Sequence, residues 1–102
     1  MNTNPHLISL EEATLLTHSY QNSVISLGQT ISAKFDSSSI SMLLSQPNCT
    51  GVRIYLGLNV NNEITPVIVG VDASNNDMTN GIILDRGELC PPHCVSSPLM
   101  KQ

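Results

Sequence analysis

Two of the chain's three cysteines sit four positions apart near its C-terminal end, in GELCPPHC at residues 87–94. Cys90 and Cys94 enclose two prolines and His93, and three chemistries are open to such a set. As thiolates they could join Cys49 and a histidine (His93, His6 or His18) in a Cys3His site for zinc or iron. As a pair they could form a disulfide. With His93 lowering a neighbouring thiol pKa, they could act as a redox or nucleophilic centre.

Each reading meets a physical objection. Pro91 and Pro92 lack the N–H that commonly steadies a ligating thiolate. Cys49 precedes the first long strand and Cys90 follows the third strand of the expected sheet. In a simple meander the two lie at opposite sheet ends, about 20 Å apart at roughly 3.3 Å per residue. A disulfide across so short a loop gains little chain entropy, and a redox pair is usually C-x-x-C at a helix start. The plainest expectation is a proline-stiffened segment held against the domain, with the cysteines as small apolar contacts.

A second candidate is the pair Arg53 and Tyr55, which share the outer face of the first long strand. The expected register sets Arg53 opposite Gly70, leaving room for an anion, a ligand or a partner chain. Asp72 and Asp77 read as turn formers rather than a cation site, because DASNND lacks the EF-hand's bidentate Glu. His6 and His18 read as solvated surface residues. Glu11 and Glu12 suit the positive end of a helix dipole. No Ser-His-Asp order, phosphate loop, GxGxxG or HExxH occurs in the sequence, which argues against a dedicated enzyme.

These residues need elements to hold them. Residues 1–8 read as a flexible arm, and 9–102 as one domain with a Pro/Cys-containing tail. Ser9 followed by Glu12 is a capping box. Leu10, Ala13, Leu16, Tyr20, Val24 and Leu27 then recur at helical spacing, and Gly28 suits the helix end. ISAKF at 31–35 alternates like a short strand. Asp36 or one of the serines at 37–39 can cap a second helix through 40–44, which Pro47 closes.

GVRIYLGLN and ITPVIVGVD are two alternating strands around Asn61-Asn62, which suits a two-residue hairpin turn. In that register Val52, Ile54 and Leu56 face Val71, Val69 and Val67. Gly57 falls opposite Pro66, which suggests a bulge or an edge there. GIILDRG at 81–87 reads as a third strand. The order predicts an α+β fold, with two N-terminal helices on one face of a small, mainly antiparallel sheet of three to four strands.

Composition narrows the partners. The chain has 102 residues, 12% of them charged, and a net charge of −4. Its only fixed cations are Lys34, Arg53, Arg86 and Lys101, too scattered to neutralise a phosphate backbone, so nucleic acid is not expected. No run approaches the roughly 20 apolar residues of a membrane span. The N-terminal stretch lacks the basic and apolar regions of a signal peptide, which points to a cytoplasmic protein. A weakly charged surface resists self-association poorly, so a homo-oligomer or another protein partner is expected.

Through QPNCTGVRIYLGL, VIVGVD and ILDRGELCPPHC, about half its length, the chain resembles a family of small uncharacterised bacterial proteins with a C-terminal CPPxC motif. That resemblance implies a soluble bacterial α+β domain and no particular reaction. A looser likeness is to the A-type iron–sulfur scaffold proteins, which also run from a helix to a sheet to a C-terminal cysteine pair. It would imply an iron–sulfur cluster at the tail. Those proteins, however, carry C-x-C near the end where this chain has C-x3-C. Taken together the sequence points to a non-catalytic binding or assembly module, with a metal-binding or thiol-redox tail as the alternative.

Overall fold

The computed structural model describes residues 4–24 and 29–101. The chain runs α1 (Leu10–Val24), β1 (Ser32–Lys34), α2 (Ser37–Leu44), β2 (Cys49–Leu58), β3 (Ile64–Asp72), β4 (Ile83–Leu84) and β5 (Glu88–Cys90). Strands β2, β3 and β4 form one antiparallel sheet in sequence order, and β1 pairs antiparallel with β5 in a second. This is the α+β class the sequence predicts.

Local chemistry sets the helix starts. The Ser9 hydroxyl accepts from the Glu12 N–H at 3.0 Å. Asp36 caps α2, its carboxylate accepting from the Ser39 N–H at 3.0 Å. Both satisfy an N–H that the first helical turn leaves without a partner. The expected helix positions Leu27 and Gly28 lie outside the described residues. In the short strand, Ile31, Ala33 and Phe35 are half-buried while Ser32 and Lys34 are exposed, as the alternation predicts.

The β2–β3 hairpin is present, but its register is one residue away from the expected one. Arg53 lies opposite Val69, not Gly70; Ile54 lies opposite Ile68, Leu56 opposite Pro66 and Gly57 opposite Thr65. The loop is longer by one residue. The Asn59 N–H donates to the Glu63 carbonyl and the Asn62 N–H to the Asn59 carbonyl, both at 3.0 Å. Asn62 takes φ 62°, so the turn is a three-residue loop closing on one left-handed residue. The Asn59 side chain fixes it, accepting from the N–H groups of Asn61 and Glu63. The strand irregularity falls between Cys49 and Gly51, not at Gly57.

This slip matters because side chains alternate between faces. Val52, Ile54, Leu56 and Leu58 share a face with Ile64, Pro66, Ile68 and Gly70. Arg53 and Tyr55 share the other with Val67, Val69 and Val71. Both helices reach the first face: Tyr20 of α1 lies by Leu56, Ile64 and Pro66. Gln46, just past α2, lies close against Gly70.

The expected strand over 81–87 is split. Ile83 and Leu84 alone pair with β3. Arg86 then turns the chain at φ 62°, and the missing side chain of Gly87 admits the Phe35 ring, which a Cβ would meet at 2.7 Å. Released from the first sheet, Glu88–Cys90 pairs with β1.

The core is small. Leu43, Ile68, Val69, Val71 and Cys90 are the buried hydrophobic side chains among the described residues. The radius of gyration is 15.4 Å, against about 13 Å for a close-packed domain of 100 residues. Helix α1 also turns a different face inward from the one its pattern predicts, with Ala13 common to both. Leu10, Leu15 and Leu16 point to solvent, while Ala13, Thr14, Thr17, His18 and Gln21 are half-buried or buried. His18 is therefore not a solvated residue: its Nε2 lies 3.0 Å from the Pro98 carbonyl oxygen. Among the described residues no helix is long and apolar enough to cross a membrane.

Candidate functional site

Three groups of residues carry what chemistry this fold displays: the tail cysteines, the polar cluster around Arg53, and the outer edge of β2.

Cys90 and Cys94 are joined by a disulfide, their Cα atoms 4.8 Å apart. While joined, neither sulfur is a thiolate ligand. Cys90 is 1% exposed within β5, and Cys94 is exposed. His93 is also exposed, and its N–H donates to the Leu89 carbonyl at 2.9 Å. Cys49 belongs to the other sheet, at the start of β2, where its free thiol donates to the Gly51 carbonyl at 3.3 Å. No group of three or more His, Cys, Asp or Glu side chains among the described residues is placed to hold a metal ion.

Arg53 and Tyr55 are brought together by a residue that the sequence reading gave only a turn-forming role. The Arg53 guanidinium pairs with the Asp77 carboxylate and donates to the Asn75 side chain at 3.0 Å. The Tyr55 hydroxyl donates to the other Asp77 oxygen at 2.5 Å. Asp77 reaches them because it bridges Val71 antiparallel, extending the sheet just before the loop turns away. Asp72 remains a turn former, its carboxylate accepting from the N–H groups of Ser74 and Asn76.

The bond from Tyr55, and then the Arg53 guanidinium, hold the Asp77 carboxyl below its ordinary value of 3.8. A carboxyl so depressed stabilises the fold above its unfolded value, and that contribution disappears as pH falls through the lower folded value. As pH falls below the ordinary carboxyl value, the wild-type melting temperature should therefore fall more steeply than that of Asp77→Asn. Parallel acid titrations of the two proteins would exclude this linkage. The effect is small, because the cluster is exposed to solvent.

The edge of β2 is less expected. Among the described residues, strand order leaves one side of β2 without a neighbour. The Asn59 N–H points toward β3, and backbone direction alternates along an antiparallel strand. The N–H and C=O groups of Gly57, Tyr55 and Arg53 thus also face β3, while those of Leu58, Leu56, Ile54 and Val52 face outward. The far side of β3 agrees: the Gly70 carbonyl, opposite Val52, accepts from the Met78 N–H at 2.8 Å. All four outward residues have exposed side chains, with Leu56 at 75% and Leu58 at 69%. Leu56 also lines an apolar pocket of about 300 Å³ with Tyr20, Ile31, Ala33, Ile64 and Pro66. Alternation marked these strand residues as one apolar face, but not that the helices would leave them uncovered.

Comparison with protein-family models, with curated proteins and with solved structures finds no match to this chain.

Proposed function

We propose that the chain is a non-catalytic assembly module of the bacterial cytoplasm that self-associates through β2. The observation that carries this reading is that β2 combines a backbone edge unpaired among the described residues with four exposed apolar side chains. Soluble monomers usually protect a long apolar edge with charge, proline or a covering element, and β2 has its one charge, Arg53, neutralised by Asp77. Large exposed apolar patches mark interaction surfaces. Light scattering across a concentration series should show mass rising above the monomer. Leu56→Lys, a charge on the edge, should return it to the monomer. Equal masses for wild type and variant at every concentration would remove β2 from the account.

A thiol-redox role is the second reading, favoured by the disulfide itself. In a cytoplasm a disulfide is typically redox-active rather than permanent, and Cys94 presents the accessible sulfur. A small thiolate would attack Cys94 Sγ, releasing Cys90 as the leaving thiol. A second thiol would then resolve the mixed disulfide, leaving two protein thiols and one small-molecule disulfide. Equilibration in glutathione buffers should find the pair half-reduced near cytosolic poise. A bond that stays closed at every such ratio would make it purely structural.

A further inference from the structure

Resting on the β2 reading above, we propose that the partner is a second copy of this chain. The two β2 strands would pair antiparallel about a two-fold axis at Tyr55 and merge two three-stranded sheets into one of six.

The first argument is the direction of the free backbone groups. A new neighbour can bond only to outward-facing N–H and C=O groups, which on β2 belong to Val52, Ile54, Leu56 and Leu58. In a symmetric antiparallel pair such residues must meet each other. An axis at Tyr55 maps this set onto itself. Val52 then meets Leu58 of the second copy, and Ile54 meets Leu56. No outward group between 52 and 58 is left over.

Charge and regularity select this register over the two centred nearer the start of the strand. Centred on Arg53, the seam would set two guanidinium groups directly opposite, which is destabilising. Centred on Ile54, it would run Thr50 against Leu58 and extend pairing into the irregularity between Cys49 and Gly51. Centred on Tyr55, it keeps to the regular part of the strand and places Arg53 across from Gly57 of the second copy. Gly57 has no side chain there to compete for space. The two Tyr55 rings become a cross-strand aromatic pair, each held by its own Asp77.

The faces match as well. A two-fold axis perpendicular to the sheet keeps the apolar faces on one side, so the stripes of both copies form one surface. That surface continues into the pocket that Leu56 shares with Tyr20. Seven residues a side are few against the roughly 20–30 of a standard interface, so the dimer is expected to dissociate on dilution.

The test is cross-linking by introduced cysteines in a Cys49→Ser background. Tyr55 would face its own copy at a Cα separation of about 4.5 Å, within the roughly 4.4–6.8 Å span of disulfides. Under mild oxidation Tyr55→Cys should give covalent dimer as the main product. Arg53→Cys and Gly57→Cys should link poorly alone and well when the two proteins are mixed. The mixed pair keeps the test valid if losing the Tyr55 hydroxyl disturbs the strand. Adding Leu56→Lys should abolish every link. Mass above the monomer that Leu56→Lys removes, with no link from either design, would overturn this register and leave the β2 reading standing. A wild type that stays monomeric and unlinked at high concentration would overturn both.

Discussion

Leu43→Ala is expected to bring this domain to the edge of unfolding at room temperature. Leu43 is fully buried, at 0% exposure, on the helix whose contacts reach β2, β3 and β4. Truncating a buried leucine costs about 2–5 kcal/mol, because the lost transfer energy is joined by the cavity left behind. Whole domains are stable by only about 5–15 kcal/mol. With so few apolar side chains buried, this chain belongs at the low end of that range. Its melting temperature should drop by at least about 8 °C, given roughly 4–8 °C per kcal/mol at this size. The control is its neighbour Leu44, which is exposed and whose alanine variant should stay within about 0.5 kcal/mol of wild type. Thermal and urea melts followed by circular dichroism measure both. Similar curves for the two variants would mean that α2 does not seal the core.

The sequence shows why some of this was legible and some was not. Caps are short-range chemistry, so Ser9 with Glu12 and Asp36 with Ser39 could be placed from spacing alone. The hairpin could be recognised for the same reason. Its register could not, because β3 is a central strand with apolar residues on both faces, and alternation there accepts two registers one residue apart. The deciding signal was Asn59, whose side chain organises a three-residue loop. It was read instead as the end of a strand. The split of residues 81–87 turns on the left-handed Arg86, a conformation that no side-chain pattern announces.

The cysteines had three readings because spacing permits all three; in the fold Cys90 and Cys94 are bonded, which excludes metal ligation while the bond is closed and leaves the redox reading. The Arg53 site was half legible. Its residues were named, but Asp77, 24 positions on, required the fold. The orientation of α1 was the hardest part. Helical periodicity shows that a leucine face exists but not which face the body offers a partner, and here the body offers the backbone of the C-terminal tail, in a turn at residues 97–100.

That tail gives the second large effect. Gln21 is 2% exposed. Its side-chain amide donates to the Leu99 carbonyl at 3.0 Å and accepts from the Lys101 N–H at 2.7 Å. It thus reads the tail backbone as a neighbouring strand would, with His18 against the Pro98 carbonyl one turn earlier. Gln21→Leu keeps the bulk and removes both bonds, each of which contributes about 0.5–1.5 kcal/mol. Ile31, Val95, Leu99 and Met100 line a pocket of about 210 Å³ beside these bonds rather than closing over them. The tail is therefore expected to detach together with α1, while the sheet and α2 stay folded. Amide exchange at Lys101 should accelerate at least about tenfold, the equivalent of about 1.4 kcal/mol, with exchange in β3 unchanged. Gln21→Glu retains the acceptor for Lys101 and loses the donor to Leu99, so it should fall between the two. Unchanged protection at Lys101 in Gln21→Leu would mean that the apolar contacts hold the tail, and that burial of this glutamine follows from the docking rather than causing it.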